Sequence, residues 1–306
     1  MKMSKIGMLA LLVVLATIIG PVSATTYNVD SSMTNTQIQS TITNAANGDT
    51  INFASGTYNG INLTATHNLN FVGNGAVLVG IGDDDVLDIS STTGTNITGF
   101  NINLNNSDND GIVGQYVYNC RIENNNITNG NDAINIFREY RNAIINNNNI
   151  NDMDRDGISL VNCGDPETST STTVTNNNID GTAYGIFSGG HFKGTISGNT
   201  ISDSNSMGIQ IIKKQGVGNL YANITYNEIT ETPIAMELGL NVPSLLLDHN
   251  YMDGTSYSIQ TITGFTYPTP HDITVTYNYL NTVSTDFINA TTIANNNEGP
   301  GAYTKP

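Results

Sequence analysis

Four aspartates, Asp85, Asp110, Asp132 and Asp156, stand 25, 22 and 24 residues apart. Carboxylates gathered at so even a spacing could share acid–base work, as in glycoside hydrolysis. They could also hold Ca²⁺, a hard cation that takes about six to eight oxygens. Asp83, Asp84, Asp108, Asp152 and Asp154 crowd the same stretches. Like charges this close repel unless a cation, a base or a raised pKa relieves them. All four arginines (Arg121, Arg138, Arg141, Arg155) lie in this segment, Lys193, Lys213 and Lys214 follow, and Phe137, Tyr140, Tyr184, Phe187 and Phe192 add aromatic surface. As a site, the set would use Asp132, Asp156 and Arg155 for catalysis and Asp110, Asp132 and Asp156 as a Ca²⁺ file. Arg138, Phe137, Tyr140, Phe187, His191 and Phe192 would then touch carbohydrate. The plainer reading is that Asp is a turn residue, repeated because the turn repeats, with bases that neutralise it. That reading is preferred, so no catalytic residue is assigned and no cofactor is expected.

Only a repeat of matching length brings such residues into one file. Asn-x-aliphatic recurs at Asn125-Asn126-Ile127, Asn148-Asn149-Ile150, Asn177-Asn178-Ile179, Asn199-Thr200-Ile201, Asn227-Glu228-Ile229, Asn250-Tyr251-Met252 and Asn278-Tyr279-Leu280. Phe100-Asn101-Ile102 is an earlier copy with Phe in the Asn slot, and the spacings are 25, 23, 29, 22, 28, 23 and 28. Such a period over eight copies marks a solenoid. Thr195-Ile196-Ser197-Gly198 and Gly208-Ile209-Gln210-Ile211 alternate with period two, which predicts short half-buried strands. Each repeat is then one coil that buries its apolar face only against the next. Stacked coils sit about 4.8 Å apart, which lines up the four aspartates. Asn suits the bend because it tolerates the left-handed region, and stacked Asn side chains can bond along the stack. The pattern predicts one ladder of Asn125, Asn148, Asn177, Asn199, Asn227, Asn250 and Asn278. It also predicts an inward file of Ile134, Ile158, Ile186, Ile209 and Ile234.

The run Asn-x-Ile followed by Gly-Ile-x-Ile resembles the right-handed parallel β-helix repeat of the pectin-lyase-like superfamily, over nearly all of residues 26–292. The resemblance implies an all-β fold. It would be a single-stranded right-handed parallel β-helix (solenoid) of roughly ten coils, a rod about 50 Å long, with an N-terminal capping helix. It implies little about activity. The superfamily holds polysaccharide lyases, glycoside hydrolases, copper-related periplasmic accessory proteins and adhesin-like surface proteins. The Asn- and Thr-rich composition looks most like the last group, notably surface proteins of methanogenic archaea. The polygalacturonase pattern is half present. Asp110 fits its first acid, but Asp108 holds the Asn slot; Asp132 is partnered by Asn131. Gly190-His191-Phe192 lacks the last Gly of Gly-His-Gly, and Arg-x-Lys is absent. In the superfamily's lyases, carboxylates hold Ca²⁺ while an Arg or Lys abstracts a proton, a scheme with no sharp motif to test. His67, His191, His249 and His271 are too scattered for copper.

The rest of the chain frames the solenoid. Residues 33–48 read as a capping helix: Thr34 and Gln37 make a capping box, Met33 and Ile38 a staple, and Asn47-Gly48 a stop. Residues 1–24, with Lys2 and Lys5, the apolar run from Ile6 to Ile19 and Val22-Ser23-Ala24, read as a signal peptide; an uncleaved anchor is the alternative. Residues 25–294 are then one solenoid domain and 295–306 a disordered tail. Without the first 24 residues the charge is 8 − 26 = −18, which disfavours nucleic acid and anionic membranes as partners. No later stretch could span a bilayer as a helix. Trp is absent, so Tyr and Phe would have to stack on sugars. Cys120 and Cys163, about two coils or 9–10 Å apart, are too far to pair. Six N-x-S/T sequons occur, with Asn105 the best glycan candidate. The long repeats carry insertions at Gly164–Ser171, Gln215–Tyr221 and Gly264–His271, read as loops or as a wall beside a groove. Two functions result. One is a secreted or cell-surface protein that binds or displays, adhesin-like, with an extracellular glycan or surface protein as partner. The other is a polysaccharide lyase or glycoside hydrolase working through the Asp file.

Overall fold

The computed structural model describes residues 23–82, 84–105, 108–162, 171–190, 192–212, 221–239, 244–261, 272–283 and 292–294. The segments read as a signal peptide and as a tail lie essentially outside these residues. So do Asp83, Cys163, His191, Lys213, Lys214 and most of the three insertions.

Two sheets wind the chain, and every ladder between their strands is parallel. One has twelve strands, running from Thr26–Val29 to Thr292–Ala294, and the other has seventeen. Twelve less the first two (Thr26–Val29 and Thr50–Phe53) leaves ten from Asn70 onward, the coil count expected. One coil shows the plan. Arg121–Glu123 lies in the first sheet, the chain bends at Asn124-Asn125, and Asn126–Gly130 enters the second sheet. A second bend carries Asp132 into the long strand Ile134–Arg141, and a third returns to Ile144–Asn146 in the first sheet.

Period-two alternation sends one aliphatic inward from each strand, so the core is three vertical files. The first runs Ile97, Ile122, Ile145, Val174, Ile196, Ile224, Leu247. The second runs Ile102, Ile127, Ile150, Ile179, Ile201, Ile229, Met252. The third runs Ile112, Ile134, Ile158, Ile186, Ile209, Met236, Ile259. All are essentially fully buried, each side chain contributing about 1.5–3 kcal/mol over exposure. Ile234 is not in the expected file. It pairs with Met207 and is only half-buried, while Met236 takes the core position. The spacing explains it: the third file lies seven or eight residues beyond the second, as Ile179 to Ile186 or Ile201 to Ile209, and seven beyond Ile229 is Met236, whereas Ile234 is only five on. The Gly of Gly-Ile is there because the second file leans on it. A Cβ on Gly157 would sit 2.6 Å from the Gly185 carbonyl oxygen and 2.7 Å from Ile179 Cγ2.

The helix spans Asn35–Asn44 with Thr34 as N-cap, both capping-box bonds present, and Ile38 and Ile42 buried. It ends at Ala45, three residues before the expected Gly stop; Gly48 (φ 87°) serves the following turn instead. Its closure of the open solenoid end has a specific device. The Asn35 carboxamide donates to Asn62 O and accepts Asn62 N–H, and Gln39 does the same with Thr64. Four helical residues rise about 6.0 Å and two strand residues about 6.6 Å. Two amides on the helix therefore stand in for a neighbouring strand, and the bare edge is satisfied.

Candidate functional site

The ladder positions the bends. Asn148 Oδ1 accepts the backbone N–H of Asn125 at 3.0 Å and its Nδ2–H at 3.1 Å. The same pair of bonds repeats through Asn177, Asn199, Asn227, Asn250 and Asn278. All seven side chains are buried. Phe100, which lacks a side-chain amide, still gives its backbone N–H to Asn125 Oδ1 at 3.1 Å and ends the ladder.

The aspartates also form one file, and its bonding was not foreseen. Each carboxylate accepts the backbone N–H of the next aspartate along the solenoid. Asp85 Oδ1 takes that of Asp110 at 3.0 Å, Asp110 Oδ1 that of Asp132 at 3.1 Å, and Asp132 Oδ1 that of Asp156 at 2.9 Å. Asp110 also accepts Asn131 Nδ2 on Oδ1 and Asn135 Nδ2 on Oδ2. Asp110, Asp132 and Asp156 are buried, and Asp132 is 0% exposed. Burial, then the neighbouring charges of Asp156 and Asp110, push the Asp132 carboxyl up to about 7. Burial raises Asp85 and Asp156 as well. Asp132 Oδ2 accepts no hydrogen bond, and Arg155 Nη1 lies 3.5 Å away, its side chain mostly in solvent.

The expected site residues fall in different places. As the Ca²⁺ file, Asp110, Asp132 and Asp156 each turn an oxygen to a backbone or side-chain donor, and among the described residues no three acidic, His or Cys side chains converge on a common point. As catalysts, Asp132 and Asp156 lie beneath the surface; only Arg155 reaches solvent. Arg121 and Arg141 pair with Glu123 and Glu139 rather than with the file. Arg138 is exposed at a left-handed position (φ 70°), six strand residues or about 20 Å from Asp132. Tyr140 and Phe192 cannot touch a glycan, because both turn into the core. Phe137 and Phe187 remain partly exposed, and Phe187 meets Tyr184 edge to face at 6.3 Å. Cys120 is fully buried and its thiol is pushed up to about 12 by burial, so it is inert.

The long strands bring together residues that sequence reasoning passed over. Register stacks Asn135, Ser159, Phe187, Gln210, Glu237 and Gln260 in one column on the side of the strands away from the core file; Asn135, Phe187, Gln210 and Gln260 are partly exposed, Ser159 and Glu237 buried. Glu237 accepts Gln210 Nε2 at 2.5 Å and Gln260 Nε2 at 2.9 Å, 27 and 23 residues away. Those coil-length spacings were the available signal. They were easy to miss because Gln carries no charge.

No curated protein matches the sequence. Among solved structures, the chain is similar to an alginate lyase from Paenibacillus at 17% identity, with 82% of this chain and 99% of that one covered and a TM-score of 0.52. It is also similar to the A-module of a mannuronan C-5 epimerase from Azotobacter vinelandii at 14% identity, covering 76% and 78%, with a TM-score of 0.49. Identities this low speak to fold alone. The family model for the right handed beta helix region matches residues 59–229, more than half of the chain. Together with two parallel sheets, three core files and the asparagine ladder, this places the chain in the right-handed β-helix family.

Proposed function

We propose that this is a secreted or cell-surface β-helix that binds polysaccharide along the outer face of its long strands. The observation that carries the reading is the column Asn135, Ser159, Phe187, Gln210, Glu237 and Gln260. Three amides and an aromatic ring, partly exposed at Asn135, Gln210, Gln260 and Phe187, recur there at coil steps, a spacing suited to a repeating chain of hydroxylated rings, while the buried Ser159 and Glu237 hold the column in place. An adhesin-like role is compatible with this, since binding needs no catalyst. The fold neighbours that act on alginate support a polysaccharide ligand. The file argues against catalysis through Asp132 and Asp156, because both are buried and spent on holding coils together.

A second reading, polysaccharide cleavage, has one specific observation in its favour. Asp132 sits near neutrality with an unbonded oxygen under the Arg155 guanidinium, and groups poised this way are common in active sites. One experiment separates the readings. The protein is run through gels cast with alginate, polygalacturonate and neutral polysaccharides, while parallel reactions are followed for reducing ends and for unsaturated-product absorbance. Retardation without product supports binding. Product that disappears in Asp132→Asn establishes cleavage.

A further inference from the structure

The residue before each ladder asparagine occupies a left-handed bend. Gly99, Asn124, Asn147, Asn176 and Gly198 fill that slot in the earlier coils, all at positive φ. In the last three it holds Tyr226 (φ 58°), His249 (φ 53°) and Tyr277 (φ 54°). Bulky residues are rare at such angles, and their retention points to use rather than to folding. The three rings form a pile, the first pair stacked and the second tilted. Tyr226 and His249 lie 5.0 Å apart at 21°, and His249 and Tyr277 5.0 Å apart at 34°. His249 is further fixed by its Nδ1 at 2.7 Å from Asp248 Oδ2.

Stacking covers the inner faces of this pile and leaves the outer face of Tyr226 to the coil before it. His249 covers one side of Tyr226. The other side looks back along the solenoid toward Gly198, whose N–H bonds Thr225 O at 3.1 Å directly below. Gly198 has no side chain to cover the ring from below, and Tyr226 is 56% exposed. The Asn176 carboxamide leans up into the place a Gly198 side chain would take: its Oδ1 lies 2.8 Å from where a Gly198 Cβ would stand. We propose that the exposed face of Tyr226 binds one pyranose ring of a neutral polysaccharide, stacked on the ring and hydrogen-bonded by Asn176. An aromatic face carries negative potential and attracts the weakly positive C–H face of a sugar ring, and a neighbouring amide bonds its hydroxyls. The ligand is neutral because the surroundings repel anions. Between Lys214 and Lys305 the sequence has no Lys or Arg, Glu228, Glu231, Asp248 and Asp253 lie on the coils above, and the nearest base in sequence on the coil below is Lys193, five residues before Gly198. The inference rests on the glycan-binding reading above but places a separate site on a different edge of the rod.

The test uses Gly198→Asn and Tyr226→Asn, both of which restore the residue that earlier coils carry at this bend. Each should keep the parent's circular dichroism and melting temperature, since Asn tolerates left-handed φ; if one misfolds, the other carries the test. Affinity gels cast with galactomannan, xylan or mixed-linkage glucan should retard the parent. Both variants should bind about tenfold more weakly, the loss expected for one stacked ring. Unchanged retardation in both variants overturns the proposal, as does a parent that none of the neutral polymers retards. Retardation by alginate or polygalacturonate alone, equal in parent and variants, also overturns it while leaving the general glycan-binding reading intact.

Discussion

The asparagine ladder and the aspartate file meet the same need with side chains that differ by one group. In both, a side-chain oxygen accepts the backbone N–H of a neighbouring coil at about 3 Å: Asn148 that of Asn125, and Asp110 that of Asp132. The amide then has Nδ2 to spare. Asn125 uses it twice, on Asn148 Oδ1 and on the Ile97 carbonyl. Each step of the ladder thus creates the acceptor the next step needs, and seven coils follow one another. The carboxylate has nothing to donate. Every step adds charge to a buried column, and burial pushes Asp85, Asp132 and Asp156 up together. After Asp156 the register position passes to Tyr184 and Met207, which relieves the column. A self-propagating polar stack must be neutral; an anionic one has to stop.

The sharpest way to break this contrast is Asn177→Ala. It strands the Asn148 N–H and Nδ2–H, both of which use Asn177 Oδ1, and the Ile145 carbonyl that takes Asn177 Nδ2. Buried groups left unbonded cost roughly 1–3 kcal/mol each, so a loss of about 5 kcal/mol is expected in urea unfolding. A loss below about 1 kcal/mol would mean the ladder ornaments the bends instead of holding them.

Next in size is the pH dependence of the parent. The Asp132 carboxyl rises from 3.8 to about 7. Between those values the folded chain keeps a proton that the unfolded chain has released, so stability falls as pH rises through that window and levels off above it. Asp85 and Asp156, raised in the same direction, add to the slope. Asp132 alone accounts for about 4 kcal/mol across that window. Thermal melts at pH 5 and pH 8 check it, and a higher melting temperature at pH 8 would show that the file is not under charge strain.

Much of this was legible in the sequence, and the failures have physical causes. Alternation and the 22–29-residue period gave the coils, and the Thr34–Gln37 box gave the cap. The ladder followed from Asn at each bend. Ile234 was misplaced because it was chosen as the aliphatic after a turn, while the file is set by its distance from the strand before: seven residues beyond Ile229 stands Met236. Tyr140 and Phe192 were chosen by residue type, but at the corners of a solenoid an aromatic ring often turns inward to fill the core. The file's spacing was visible; its partner was not. A turn aspartate ordinarily bonds its own loop, whereas these reach across to the next coil. Tyr226, His249 and Tyr277 each precede a ladder asparagine, so their stacking was readable once the ladder's phase was fixed.

Asp132→Asn should sharpen the comparison by turning one anionic step into a ladder-like one. Its oxygen keeps the Asp156 N–H and its amide removes a buried charge. Above pH 7 the variant should be more stable than the parent by about 1 kcal/mol, with a flatter pH dependence. Glycan retardation should be unchanged. A variant less stable at pH 8, or one that loses a cleavage activity the parent has, would give the Asp132–Arg155 pair a working role.

The smallest effect should come from Asp110 and Ca²⁺. Asp110 already accepts three donors, Asp132 N–H, Asn131 Nδ2 and Asn135 Nδ2, so a cation would have to displace them. Ca²⁺ needs about six to eight oxygens at one point, and the file offers them one coil step apart along a line. In Asp110→Asn the new Nδ2 would face Asn135, whose own carboxamide has an oxygen to turn toward it. The change in stability should stay within about 0.5 kcal/mol. A site that binds Ca²⁺ only when folded would stabilise the parent by about 2.7 kcal/mol at a hundredfold excess over Kd. Melting in millimolar Ca²⁺ and in chelator should therefore coincide, for parent and variant alike. A Ca²⁺-dependent rise in the parent that Asp110→Asn abolishes would reverse the ranking of functions. The file would then be a cation site after all, its hydrogen bonds those of an empty site, and the lyase reading would lead.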